Sequence, residues 1–79
     1  MKARRSPAAK AVAIVLKRAR AGEKISQREL AARLKRPHSV IGMIESQQRQ
    51  VNVPEFLAIA EALDTDPIEL FRQVVHERD

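Results

Sequence analysis

The stretch Ser26-Gln27-Arg28-Glu29-Leu30-Ala31-Ala32-Arg33-Leu34-Lys35-Arg36-Pro37-His38-Ser39-Val40-Ile41-Gly42-Met43-Ile44-Glu45 decides the fold. Ser26 and Glu29 form a Ser-x-x-Glu capping box, which opens a short helix with Leu30, Ala31 and Leu34 pointing inward. Lys35-Arg36-Pro37 reads as a three-residue turn, and a second short helix follows. At about 100° per residue, Pro37, Val40, Ile41 and Ile44 share one inward arc of that second helix. His38, Ser39, Gly42, Met43 and Ser46 fill a neighbouring arc that can face outward. That outer face is small and polar and carries no Asp or Glu, which suits a surface lined with negative charge. Periodicity alone fits an ordinary amphipathic helix of a small bundle equally well.

The charge distribution separates the two readings. The net charge of +5 is strongly segregated: residues 1–50 hold thirteen Lys/Arg against three acids, +10, and residues 51–79 hold two against seven, −5. A basic half and an acidic half suit a domain that sets its N-terminal side on a polyanion. Charge does not distinguish DNA from RNA or anionic lipid. Phe56 and Phe71 are the only aromatic residues, which argues against stacking platforms for single strands or RNA loops.

Seventy-nine residues make one small domain with one core. There is no cysteine and the two histidines are far apart, so no metal site and no cofactor is expected. The longest apolar run, Ala11 to Leu16, is too short to span a membrane. Met1-Lys2-Ala3-Arg4-Arg5 lacks the apolar core of a signal peptide, so a cytoplasmic, nucleoid-associated protein is expected.

Punctuation divides the chain into five helices, an all-α fold in one domain over residues 7–79, behind a basic arm, residues 1–6, expected to be disordered. Ser6-Pro7 caps the first helix and Gly22 reads as its stop; Ala9, Val12, Ala13, Leu16 and Ala19 form its stripe. The helix-turn-helix spans 26–46. Asn52 and Glu55 repeat the capping box before a fourth helix with core residues Phe56, Leu57, Ile59, Ala60 and Leu63. Asp66-Pro67 and Glu69 open a fifth helix over 67–77, with Ile68, Leu70, Phe71, Val74 and Val75 in two apolar rows. A core this small has use for one row. The other is expected to make a homodimer through Phe71, Val74 and Val75.

Together these residues resemble the lambda-repressor-like (Cro/C1, or XRE) helix-turn-helix family. The resemblance rests on Ser26-Gln27-x-x-Leu30-Ala31-x-x-Leu34, Ser39-x-Ile41-x-x-Ile44-Glu45, Val53-x-x-Phe56-Leu57-x-Ile59-Ala60-x-Ala62-Leu63 and Asp66-Pro67-x-x-Leu70-Phe71, and covers roughly residues 12 to 72. It implies a compact five-helix bundle that binds double-stranded DNA sequence-specifically, usually as a homodimer on a palindromic operator. Gln27 then matches a family glutamine that bonds a DNA phosphate, and Arg20 and Glu45 match a family ion pair. His38, Ser39, Gly42 and Met43 match the base-reading positions: His38 can meet a guanine or a phosphate, and Met43 can touch a thymine methyl or merely fill the helix edge. Arg28, Arg36, Ser46 and Arg49 complete the expected DNA-binding set. The chain departs from the family where glycines commonly follow the second and third helices, having Lys35 and Gln47 there. It also has His38, Val40 and Met43 where close relatives carry glutamine, an aromatic residue and lysine.

The expected function is a small homodimeric transcriptional regulator, a repressor on a palindromic operator. One alternative belongs to another class of role, an antitoxin or similar module docking a toxin or other protein through the acidic C-terminal segment; a restriction–modification controller is a further alternative within the regulator class. An enzyme is not expected, since the chain has no Cys, no Tyr, no phosphate loop and no carboxylate pair beside a histidine.

Overall fold

A computed structural model describes residues 6–79, and residues 1–5, most of the expected basic arm, lie outside them. The helices are α1 (Pro7–Gly22), α2 (Gln27–Arg33), α3 (Ser39–Glu45), α4 (Val53–Ala62) and α5 (Pro67–Arg78), with no strand among the described residues. Four of the five begin at side-chain caps visible in the sequence. Ser6 Oγ accepts from the Ala9 N–H at 3.0 Å, Ser26 Oγ from Glu29 at 3.0 Å, Asn52 Oδ1 from Glu55 at 2.8 Å and Asp66 Oδ1 from Ile68 at 3.0 Å. Helix α3 is the exception: His38 at its N-cap is already in the right-handed region and supplies no side-chain bond.

The first four helices all stop in the same way. In each, a residue at left-handed φ follows the C-cap: Lys24 (59°), Lys35 (57°), Gln47 (67°) and Asp64 (56°). Two backbone bonds close each end. After α1 the Ile25 N–H reaches the Arg20 carbonyl (3.2 Å) and the Lys24 N–H the Ala21 carbonyl (2.9 Å). The same pair recurs after α2, α3 and α4, the Schellman arrangement. Gly22, read above as the stop, is instead the last helical residue with ordinary φ, and the left-handed position falls on Lys24. Lys35 and Gln47, where the resemblance implies glycine, take the left-handed position themselves. A side chain held left-handed costs roughly 1–2 kcal/mol, and glycine's extra unfolded freedom returns roughly 0.5–1. Lys24→Gly and Lys35→Gly are therefore each expected to stabilise the fold by a few tenths to about 1 kcal/mol, measured by urea unfolding.

Every helix contributes to one core. Val15 of α1, Leu30 of α2, Ile41 of α3, Ile59 of α4 and Leu70 of α5 are all buried. Four expectations about the core are corrected. Ala11 and Val15, outside the expected stripe, are the buried face of α1, together with Ala13 and Leu16. Pro37 is exposed, because α3 starts two residues later than the wheel assumed. Leu57, read as core, is exposed. Val74, expected in a dimer surface, is buried with Leu70 in the seam between α5 and the rest of the core, where α5 packs mainly on α1. Ile68, Phe71 and Val75 lie roughly 110° further round α5, so when the Leu70–Val74 edge faces α1 this row is left outside.

Candidate nucleic-acid interface

Helix α3 is held on α2 and α1 by Ile41 and Ile44, both 2% exposed, with Val40 half-buried beside them. Their burial turns the opposite side outward: His38, Ser39 and Ser46 are exposed, and Gly42 and Met43 are half-buried. The Ser46 hydroxyl donates to the Met43 carbonyl at 3.3 Å, so it caps its own helix rather than standing free. No carboxylate lies on that outer face of α3.

The one acid of α3, Glu45, points inward. Arg20 Nε donates to Glu45 Oε2 at 2.7 Å and Arg20 Nη2 to Oε1 at 3.1 Å, with side-chain exposures of 13% and 5%. Arg20 Nη1 donates to the Ile25 carbonyl at 2.7 Å. Gln27 Nε2 adds a further bond to Glu45 Oε1 at 2.8 Å. The Glu45 carboxylate thereby gathers α1, the α1–α2 turn, α2 and α3, and its charge is neutralised before it can repel a polyanion. The hydrogen bonds that Arg20 donates to Glu45 raise its pKa above the ordinary value against the opposing effect of burial.

A second acid does the same at the other end. Glu55, 8% exposed as a residue, accepts from Arg49 Nη1 and Nη2 at 2.8 Å each and from Arg36 at 3.4 Å. Sequence reasoning assigned Glu55 only to a capping box. Its carboxylate instead ties the turn after α2 and the loop after α3 to the start of α4. Of the expected DNA-binding cations, Arg36 and Arg49 thus sit on Glu55, while Arg28 is exposed and makes no ion pair among the described residues. Arg33, absent from the expected set, caps α4 by donating to the Ala62 carbonyl at 2.8 Å and pairs with Glu29 at 3.1 Å.

Arg49's hydrogen bonds hold the Glu55 carboxyl below the ordinary 4.5, with smaller pulls from Arg36 and the Asn52 backbone outweighing burial's upward push. A carboxyl whose folded value lies below its unfolded value stabilises fully above the unfolded one and loses that stabilisation as pH falls through the folded one. Stability should therefore decline below about pH 4.5, and Arg49→Ala should flatten that acid limb in urea titrations at stepped pH.

Similarity to known proteins follows the same geometry. A family model described as helix-turn-helix matches residues 16–70. The chain is similar to an XRE-family like protein from Pseudomonas syringae pv. tomato str. DC3000, with 35% identity, a TM-score of 0.80, and 87% of this chain and 84% of that one covered. It shares its fold with the wild-type restriction-modification controller protein C.Esp1396I at 21% identity and a TM-score of 0.82, over 89% of this chain and 90% of that one. A single-site variant of the same controller gives a TM-score of 0.85 at 20% identity, covering 92% and 97%. No curated protein matches the chain.

Proposed function

We infer the function from one premise: the chain belongs to the XRE family of DNA-binding helix-turn-helix regulators. It acts as a homodimeric repressor on a palindromic operator, with α3 in the major groove. The observation that carries this reading is an α3 whose outer face is polar and free of acid because its one carboxylate is turned inward onto Arg20. His38, Ser39 and Met43 are the side chains that would meet base edges; Arg28, Arg36, Ser46 and Arg49 would lie against the backbone. For Arg36 and Arg49 this means sharing their guanidinium N–H groups between Glu55 and phosphate, since neither is fully covered. The segment 1–5 would add a basic arm.

The dimer surface we favour is the apolar groove between α4 and α5, lined in part by the exposed Val53, Leu57, Ile68 and Phe71, with Val75 exposed four residues further along α5. Phe71 and Val75 keep the role expected of them and Ile68 takes the place of Val74. A contiguous apolar strip of this kind on a small domain marks an interface. Two-fold pairing through it would set the two α3 helices one duplex turn apart, about 34–36 Å.

Duplex binding followed by fluorescence anisotropy tests the reading. Affinity should fall steeply between roughly 50 and 200 mM salt as condensed counterions are released, and Arg36→Ala should weaken all duplexes about equally. Binding that ignores salt would overturn it.

A further inference from the structure

Helix α3 has a gap in its outer face at Gly42, which has no side chain of its own to offer a base. A residue of α2 fills it. A Cβ built on Gly42 would stand 3.4 Å from Gln27 Oε1, so the Gln27 amide lies across α3 at that bare position. Its orientation is set by chemistry. The Glu45 carboxylate, already salt-bridged to Arg20, accepts hydrogen bonds, and it takes Gln27 Nε2 at 2.8 Å. The amide carbonyl therefore turns away from Glu45 and lies beside Gly42. What remains to the solvent-exposed Gln27 is a carbonyl acceptor and one unused N–H.

That pair is the complement of the N6 donor and N7 acceptor that adenine presents in the major groove. A phosphate could accept that N–H but would leave the carbonyl to solvent, whereas adenine engages both. We propose that Gln27 is a base-reading residue, selecting adenine at the base pair facing Gly42, with Glu45 and Gly42 as its positioning residues. The proposal rests on the DNA-binding reading above and reassigns Gln27 from the phosphate contact expected of it. The readout that α3 lacks at Gly42 is supplied from α2.

The experiment compares the full chain with Gln27→Ala and Gly42→Leu on a preferred duplex and on its single-base-pair variants. Gln27→Ala removes the amide; Gly42→Leu fills the space that the amide occupies. Both variants should lose discrimination for adenine at one and the same base pair, by about 5- to 150-fold. Affinity for unrelated duplex and the salt slope of Gln27→Ala should stay as in the wild type, while its unfolding midpoint falls modestly with the loss of the bond to Glu45. Uniform weakening of every duplex by Gln27→Ala would overturn the proposal in favour of a phosphate anchor. So would losses at different base pairs in the two variants, or no loss in Gln27→Ala. A wild type with no sequence preference at all would instead sink the reading on which the proposal rests.

Discussion

Arg20→Met and Glu45→Leu should each cost about 3–5 kcal/mol of folding stability, and the double variant should regain most of that loss. The size follows from burial. Both side chains are largely shut off from water, at 13% and 5% exposure, so either charge left alone is desolvated without a counterion. An exposed pair would be worth only about 0–1 kcal/mol. Replacing both partners by apolar groups removes the stranded charge, and such swaps are often neutral. Arg20→Met should be the worse of the two, because Glu45 keeps only the neutral Gln27 amide, while Arg20 in Glu45→Leu keeps the Ile25 carbonyl. In a domain of this size each kcal/mol moves the thermal midpoint by roughly 4–8 °C, so differential scanning calorimetry will resolve the cycle. Strictly additive losses would show that the two side chains are not energetically coupled.

Phe71→Glu should have the largest effect on DNA binding of any substitution outside the helix-turn-helix that leaves the domain folded. Phe71 is 58% exposed in the groove between α4 and α5, yet its ring stands edge-on to that of Phe56, with centroids 6.2 Å apart. It is therefore a pre-oriented apolar projection rather than a mobile one. A carboxylate there would be buried, without a partner, on both sides of a two-fold interface. Dimer dissociation should follow, and with it the gain from placing two recognition helices on one duplex, on the order of 10²- to 10⁴-fold in operator affinity. Sedimentation equilibrium should show a wild-type dimer and a Phe71→Glu monomer that remains folded. Ile68→Glu should behave likewise, whereas Val74→Glu should unfold the domain, because Val74 belongs to the core. A wild type that stays monomeric at high micromolar concentration without DNA would remove this interface from the account.

Much of the fold was legible because helix ends are local. Ser6, Ser26, Asn52 and Asp66 cap helices within three residues of themselves, and that chemistry is written in the chain. The rows of α5 were legible as rows, but which one faces α1 depends on how two helices cross, and periodicity does not encode that. Leu57 and Val74 were misplaced for this reason. Gly22 misled because composition marks a place where a chain can turn left-handed, while the hydrogen bonds of the helix end decide where it does; they chose Lys24.

The candidate site divides in the same way. The outer face of α3 follows from the wheel, and the pairing of Arg20 with Glu45 was readable only through family resemblance, since twenty-five residues separate them. The Arg36–Glu55–Arg49 cluster and the Gln27–Glu45 bond had no such guide. Glu55 did carry a signal: it is the only acid between Glu45 and Glu61, six residues past Arg49.

The central claim is that this chain reads duplex sequence with paired α3 helices. Selection of bound molecules from a random duplex pool, with the selected consensus and its half-sites then measured by competition, tests it most directly. The account predicts an enriched two-fold symmetric sequence whose half-sites lie one helical turn apart, bound more tightly than an isolated half-site. A pool that emerges from successive rounds without an enriched motif, while still binding in a salt-dependent way, would contradict it.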